Sequence, residues 1–203
     1  MENKKHWVEE IFEKHGATLK GHFFLSSAAH SNKYLDKILV YSDTRGIADI
    51  CRSIAFIAFH ETEEPIEVVV GPEKGGIILA HEVARGLTEH TLNEARPVFT
   101  EKDSLHRQVL RESFKKIIAG RRVLVVDDIL TTGKSVRQII KAVEECYGRV
   151  VGVGAICNRG KVTSQDIGGY PLFVLWETEI ESWLPEECPL CKAGVPLTDP
   201  KAL

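Results

Sequence analysis

Val123-Leu-Val-Val-Asp-Asp-Ile-Leu-Thr-Thr-Gly-Lys-Ser135 joins an apolar run to an acidic pair and a hydroxyl-rich turn. Four consecutive apolar residues, three of them β-branched, predict a buried strand over 123–126 in a parallel sheet covered on both faces. Asp127 and Asp128 stand where that strand is expected to end. A short polar loop, Thr131 to Ser135, follows and opens a helix over 134–146 with Val136, Ile139, Ile140 and Val143 at helical spacing. In open α/β sheets ligands bind beyond the carboxyl ends of the strands. Hydroxyls and backbone N–H groups at a helix start form a phosphate cradle. Carboxylates repel phosphate, so an acidic pair beside that cradle implies a ligand carrying a sugar diol or a bound metal next to its phosphate.

Thr-Gly-Lys-Ser also matches the tail of the Walker A loop. That loop needs a glycine five positions before its second one, and this chain has Asp128 there. The nucleotide-triphosphate reading therefore fails. The plainer alternative is an ordinary strand-to-helix turn with a surface Asp pair and a Ser/Thr cap.

Working outward, strands are expected over 66–70, 98–100, 150–157 and 172–175, with helices over 76–89 and from Asp43 or Thr44 to about Thr62. Strand and helix in alternation predict an α/β domain, a mainly parallel sheet with helices on both faces. An N-terminal helix over 4–15, stopped by Gly16, precedes two short strands within 21–41 about a polar turn at 26–32. The expected division is a hood over 1–42, a core over 43–180 and a tail over 181–203. A second Gly-rich turn, Val70-Gly-Pro-Glu-Lys-Gly-Gly76, leads into the second core helix, and Gly75 and Gly76 let backbone approach an anion. The segment from Thr100 to Arg111 is densely charged, and a solvated loop is its plainer reading.

The 203 residues suit one such domain. A formal net charge of −3 argues against nucleic acid as a partner. No signal peptide or membrane-length apolar run appears, which points to a cytoplasmic protein. Cys51, Cys146 and Cys157 fall in expected helix or strand and read as small buried hydrophobes. Cys188-Pro-Leu-Cys191 is half of a zinc site. No second CxxC or paired histidine motif follows it, so completion would need reach across a dimer. A structural tail ending is the expectation there.

The 123–135 segment resembles the signature of the type I phosphoribosyltransferases, which use 5-phosphoribosyl-1-pyrophosphate (PRPP). The resemblance implies that fold and gives Asp127 and Asp128 to the ribose hydroxyls and, directly or through water, to Mg2+. It gives Thr131, Thr132, Gly133, Lys134 and Ser135 to the 5′-phosphate. Glu73, Lys74, Gly75 and Gly76 fall at the family's pyrophosphate loop. The 100–111 segment falls at its mobile loop, with Lys102, His106 and Arg107 as the basic residues for the leaving pyrophosphate; Lys102 is the best match. The stretch from Leu19 to Lys37 resembles the hood of the orotate enzymes, with Ala28 where they have glycine. It offers Ser26, Ser27, Lys33 and Tyr34 to the base. Asn158-Arg159 stands where those enzymes have Asp-Arg, so Arg159 falls to the orotate carboxylate, which suits its two-pronged geometry. The function implied is phosphoribosyl transfer from PRPP to orotate by a homodimer. The alternatives are transfer to another base, such as a purine, and a PRPP-sensing regulator without turnover.

Overall fold

Alternating apolar residues on the central strands build two cores, one on each side of a single sheet. Val69, Leu124 and Val126 pack with one cluster that also holds Ile50, Ile54, Leu79 and Val83. Val68, Val70, Val123 and Val125 pack with a second that holds Ile118, Val136, Ile139 and Val143. Period-two alternation thus sends neighbouring residues of one strand into opposite layers. The architecture is α/β with helices on both faces, as the sequence predicts.

The structure is a computed structural model and describes residues 6–25, 28–91 and 93–202. Helix α1 (Trp7–Lys14) leads to β1 (Thr18–Phe24), β2 (His30–Leu35) and a short α2 (Lys37–Tyr41). Then come α3 (Thr44–Glu61), β3 (Val68–Pro72), α4 (Gly75–His90), β4 (Arg96–Lys102), β5 (Gln108–Val109) and α5 (Glu112–Ile118). The chain continues through β6 (Arg122–Leu130), α6 (Lys134–Glu144), β7 (Arg149–Asn158), β8 (Leu172–Glu177), β9 (Ser182–Trp183) and α7 (Pro189–Lys192).

The main sheet has the order β5-β4-β3-β6-β7-β8. Its strands are parallel except for the antiparallel β4–β5 pair. After β3 the chain builds outward through β4; from β6 it builds the other way through β7 and β8. The reversal lies between β3 and β6, where open sheets part to form a ligand crevice. Among the described residues no helix is long and apolar enough to cross a membrane.

Four expectations need correction. Residues 37–41 form a helix rather than the end of a strand, because Asp36 accepts from the Ile38 amide and starts a turn. Strand β6 runs on to Leu130 instead of stopping at Val126, because β7 continues to pair with it through Asn158. The charged 100–111 segment is a hairpin. Glu101 and Lys102 pair with Val109 and Gln108, ion pairs Glu101–Arg111 and Asp103–Arg107 brace it, and α5 follows directly. Finally, the tail supplies a strand: β9 pairs with β2 and completes a three-stranded sheet, β1-β2-β9.

Asp43 caps α3 by accepting from the Arg45 and Gly46 amides, and His15 Nε2 lies 2.7 Å from its other oxygen. Those amide bonds, then the His15 contact, hold its carboxyl below the usual range.

At the hood turn Ala28 has φ 64°, the left-handed region where a Cβ costs roughly 1–2 kcal/mol. The alanine keeps the conformation a glycine would take, with strain. Ala28→Gly should therefore raise the melting temperature, by up to about 2–4 °C for a chain of this size. An unchanged or lower value in a thermal melt contradicts the strain reading.

Candidate active site

Strand β3 pairs with β6 only as far as Val70–Val125. Beyond that point β6 keeps its β7 neighbour alone and runs past the Gly71–Gly76 turn. Asp127 and Asp128 lie on this overhang, 7 % and 2 % exposed. Alternation splits them. Asp127 falls on the side of Val123 and Val125, facing α6, and is hydrogen-bonded by the Ser135 side chain. Asp128 falls on the side of Leu124 and Val126, facing α2.

Asp128 is well partnered. Its Oδ1 accepts from Lys37 Nζ at 2.6 Å and from the Ile129 amide at 2.8 Å, and its Oδ2 accepts from the Tyr41 hydroxyl at 3.3 Å. Burial works against the Lys37 charge, yet the Asp128 carboxylate outweighs it and lifts the lysine's pKa. Burial, then Asp128, likewise keeps Tyr41 protonated. Asp127 has less support: burial first, and the Asp128 charge second, push its pKa up.

The turn after β3 is built for close approach. A Cβ on Gly75 would lie 2.8 Å from the Tyr41 ring and 3.1 Å from Asp128 Oδ2, so only glycine lets the loop pass the carboxylate. Lys74 beside it has φ 68° and ψ −116°, a strained conformation for a side-chain-bearing residue, and its side chain is exposed. The turn ends at the N-terminus of α4, where free amide donors face outward.

After β6, Gly133 adopts φ 68° and turns Thr131, Thr132 and Lys134 outward at the start of α6. Arg137 Nη1 holds this loop from below, donating to the Thr132 and Asp166 carbonyls. Lys102 and His106 from the hairpin, with Thr131, Thr132, Lys134 and Ser135, line one cavity of about 500 Å3. Gln108 also lines it, and its Oε1 accepts from the buried Thr100 hydroxyl at 2.6 Å. Arg107 is turned away from that role, engaged with Asp103 at 2.7 Å. The Lys102 amide, not its side chain, lies 3.4 Å from Glu73 Oε2.

Loop 158–160 docks on the same end of the sheet. A Cβ on Gly160 would fall 1.7 Å from the Thr131 carbonyl, so the two loops touch backbone to backbone. Asn158 serves as a clamp: its amide donates to the Val162 carbonyl and its oxygen accepts from the Val162 amide. A carboxylate could not do both. Arg159 is half-buried, and among the described residues its guanidinium makes no hydrogen bond or salt bridge. Burial lowers its pKa, while Cys157 and Tyr34 act in the opposite direction.

Tyr34 sits on β2 with its ring 6.0 Å from that of Phe23. Burial, then Asp36, raises its pKa, and Lys37, Asp128 and Arg159 also act on it. Tyr34 therefore feels Asp128 from the β2 side and Arg159 from the loop after β7. Lys33 alternates to the opposite face of the strand. Ser26 and Ser27 lie outside the described residues.

Sequence reasoning missed Lys37, Tyr41, Arg137 and Gln108. Lys37 and Tyr41 had a signal, because i and i+4 share one face of a helix. The strand reading of 37–41 hid it.

A model of the phosphoribosyl transferase domain matches residues 40–175. An orotate phosphoribosyltransferase of Caldicellulosiruptor bescii is 43 % identical over 202 residues, covering 98 % of this chain and 97 % of its own. That of Pelotomaculum thermopropionicum is 40 % identical, covering 95 % of each. The crystal structure of the Mycobacterium tuberculosis orotate phosphoribosyltransferase superimposes with a TM-score of 0.64 at 23 % identity, over 84 % of this chain and 95 % of that one. A Trypanosoma brucei adenine phosphoribosyltransferase does so at 0.61 and 16 %, over 86 % and 81 %. These two likenesses show the fold.

Replacing Asp127 by Asn removes a charge that burial disfavours. The free D127N protein should melt higher than wild type at pH 8. The gap should close as pH falls, because the raised pKa lets the folded wild type take up its proton before the unfolded chain does. A gap that widens toward acid, measured by thermal melts across pH, contradicts this.

Proposed function

The chain belongs to the phosphoribosyl transferase domain family, and from that premise we propose that it transfers the 5-phosphoribosyl group of PRPP to orotate, giving orotidine 5′-monophosphate and pyrophosphate. The observation that carries the reading is the pairing of two phosphate-type turns, after β3 and β6, around buried Asp127 and Asp128 at the sheet's reversal point. Near-full-length identity of 43 % to an orotate phosphoribosyltransferase supports the choice of base.

The 5′-phosphate would sit in the Thr131–Ser135 loop, taking donors from the hydroxyls and the α6 amides. The ribose hydroxyls would face the overhanging carboxylates, and pyrophosphate would meet the turn from Glu73 to Gly76. Tyr34 would lie against the base while Arg159, whose guanidinium makes no hydrogen bond or salt bridge among the described residues, takes the orotate carboxylate through two parallel hydrogen bonds. Ser26 and Ser27 would remain further contacts to the base, whereas Lys33, on the face of β2 opposite Tyr34, would not share its place against the base. A ring nitrogen of orotate bonds to the anomeric carbon and gives up its proton to solvent, as the bond from that carbon to the pyrophosphate oxygen breaks and its electron pair leaves with pyrophosphate. Positive charge grows on the ribose beside Asp127. Negative charge grows on the leaving group beside Lys102, with His106 near and Arg107 available once released from Asp103. No side chain acts as a nucleophile; positioning and charge do the work.

The acidic pair fits Mg2+ held mainly through water and substrate. Its oxygens are hard donors, but both oxygens of Asp128 already accept protein hydrogen bonds. When bound, the ion would offset pyrophosphate charge and so favour its departure. Family membership supports a homodimer at work in the cytoplasm. Light scattering giving the mass of a single chain would oppose the dimer.

Purified protein with PRPP, Mg2+ and a panel of bases should release pyrophosphate with orotate. Release with purines alone, or binding of PRPP without turnover, overturns the reading. Arg159→Ala should raise KM for orotate about 10- to 100-fold, the loss of roughly 1.5–3 kcal/mol in charged hydrogen bonds, with little change for PRPP. Equal losses for both substrates contradict its role. Lys102→Ala should lower kcat more than it changes either KM; a pure KM effect places the lysine in ground-state binding instead.

A further inference from the structure

The hood and the tail meet at a cluster that the crevice does not use. His22 on β1, His30 at the start of β2, Cys188 just before α7 and Cys191 within it place their four donor atoms within 4.8 Å of one another. Three of these residues are buried: Cys188 fully, His22 at 2 % and His30 at 5 % exposure. His22 Nε2 lies 3.0 Å from His30 Nδ1, 3.4 Å from Cys188 Sγ and 3.7 Å from Cys191 Sγ, while Cys191 Sγ lies 3.2 Å from His30 Nδ1. A tetrahedral ion with bonds of about 2.0–2.1 Å to nitrogen and 2.3 Å to sulfur needs ligand–ligand gaps of roughly 3.3–3.8 Å. The four gaps, from 3.0 to 3.7 Å, overlap that range.

We propose that His22, His30, Cys188 and Cys191 bind one structural zinc ion that staples the C-terminal tail to the hood. Two imidazoles and two thiolates are the donor set that selects zinc among common divalent ions. Four protein ligands leave no open position, which marks a structural rather than a catalytic centre. Binding releases the two thiol protons to solvent. His22 is already oriented: its Nδ1 lies 2.8 Å from the Val195 carbonyl, which only accepts, so Nδ1 carries the proton and Nε2 turns its lone pair to the cluster. All four ligands come from one chain. The lone CxxC that seemed to need a second copy is completed by a hairpin more than 150 residues earlier.

A second observation says why the staple is needed. The tail after β9 buries little apolar surface: Leu184, Val195 and Leu197 are 54, 39 and 47 % exposed. It is nevertheless ordered, with α7 and with Thr198 bonded on both sides to β1 backbone. A segment with so small an apolar core is the kind that metals or disulfides hold. Zinc there would also fix the start of β2, the strand that carries Tyr34 to the crevice.

The test uses full-length protein purified without a polyhistidine tag. Elemental analysis should give about one zinc per chain, and Cys191→Ser, at the exposed ligand, should lose most of it while remaining folded by circular dichroism. Cobalt substituted for zinc should show the visible bands of a tetrahedral site and thiolate charge transfer. Strong chelator should lower the melting temperature of wild type and leave that of C191S unchanged. Metal-free wild-type protein, zinc retained in a Cys188/Cys191 double serine variant, or a Cys188–Cys191 disulfide found by mass spectrometry overturns the proposal.

Discussion

Everything at the crevice follows from one strand outrunning its neighbour. β6 loses β3 after Val125 but keeps β7 as far as Asn158, so its last residues stay extended with one edge open. Extension preserves alternation, and alternation sends adjacent Asp127 and Asp128 into different layers. Had the strand ended at Val126, both carboxylates would sit in a loop with no defined separation. The overhang instead gives one to α6 and the Thr131–Ser135 turn, the other to α2 and the hood.

The two carboxylates then live under different electrostatic conditions. Asp128 is compensated by Lys37, Tyr41 and a backbone amide, and it fixes α2 against the Gly75 turn. Removing a partner from such a buried pair leaves an uncompensated charge, which is why it reads as a framework interaction. Asp127 carries the strain of burial with fewer partners. In the proposed enzyme it is the carboxylate poised to respond when cationic charge develops nearby. In that proposal, stability lost at Asp127 in the free protein would be recovered when ligand arrives, a trade common at functional sites.

The fold was readable because strong periodicities carried it: the β-branched run at 123–126 and the helical stripe Val136, Ile139, Ile140, Val143 are local signals of long-range layers. The turns after β3 and β6 were readable because glycine and hydroxyl residues mark them. Three things were not. The helix of Lys37–Tyr41 is only five residues long, and its partner Asp128 is 87 or more positions away. The hairpin in the charged segment is set by pairing and ion pairs that composition does not show. The histidines facing the CxxC come from the opposite end of the chain, which a motif search around Cys188 cannot see.

In the proposed enzyme Asp127 and Asp128 do different jobs in one PRPP crevice. Titration calorimetry of PRPP binding with Mg2+ at mildly acidic pH, repeated in buffers of different ionisation enthalpy, counts the protons exchanged. Asp127 should shed its proton when the ligand binds, so that wild type shows net release which Asp127→Asn abolishes while Asp128→Asn retains it. Identical proton exchange in wild type and Asp127→Asn would contradict it.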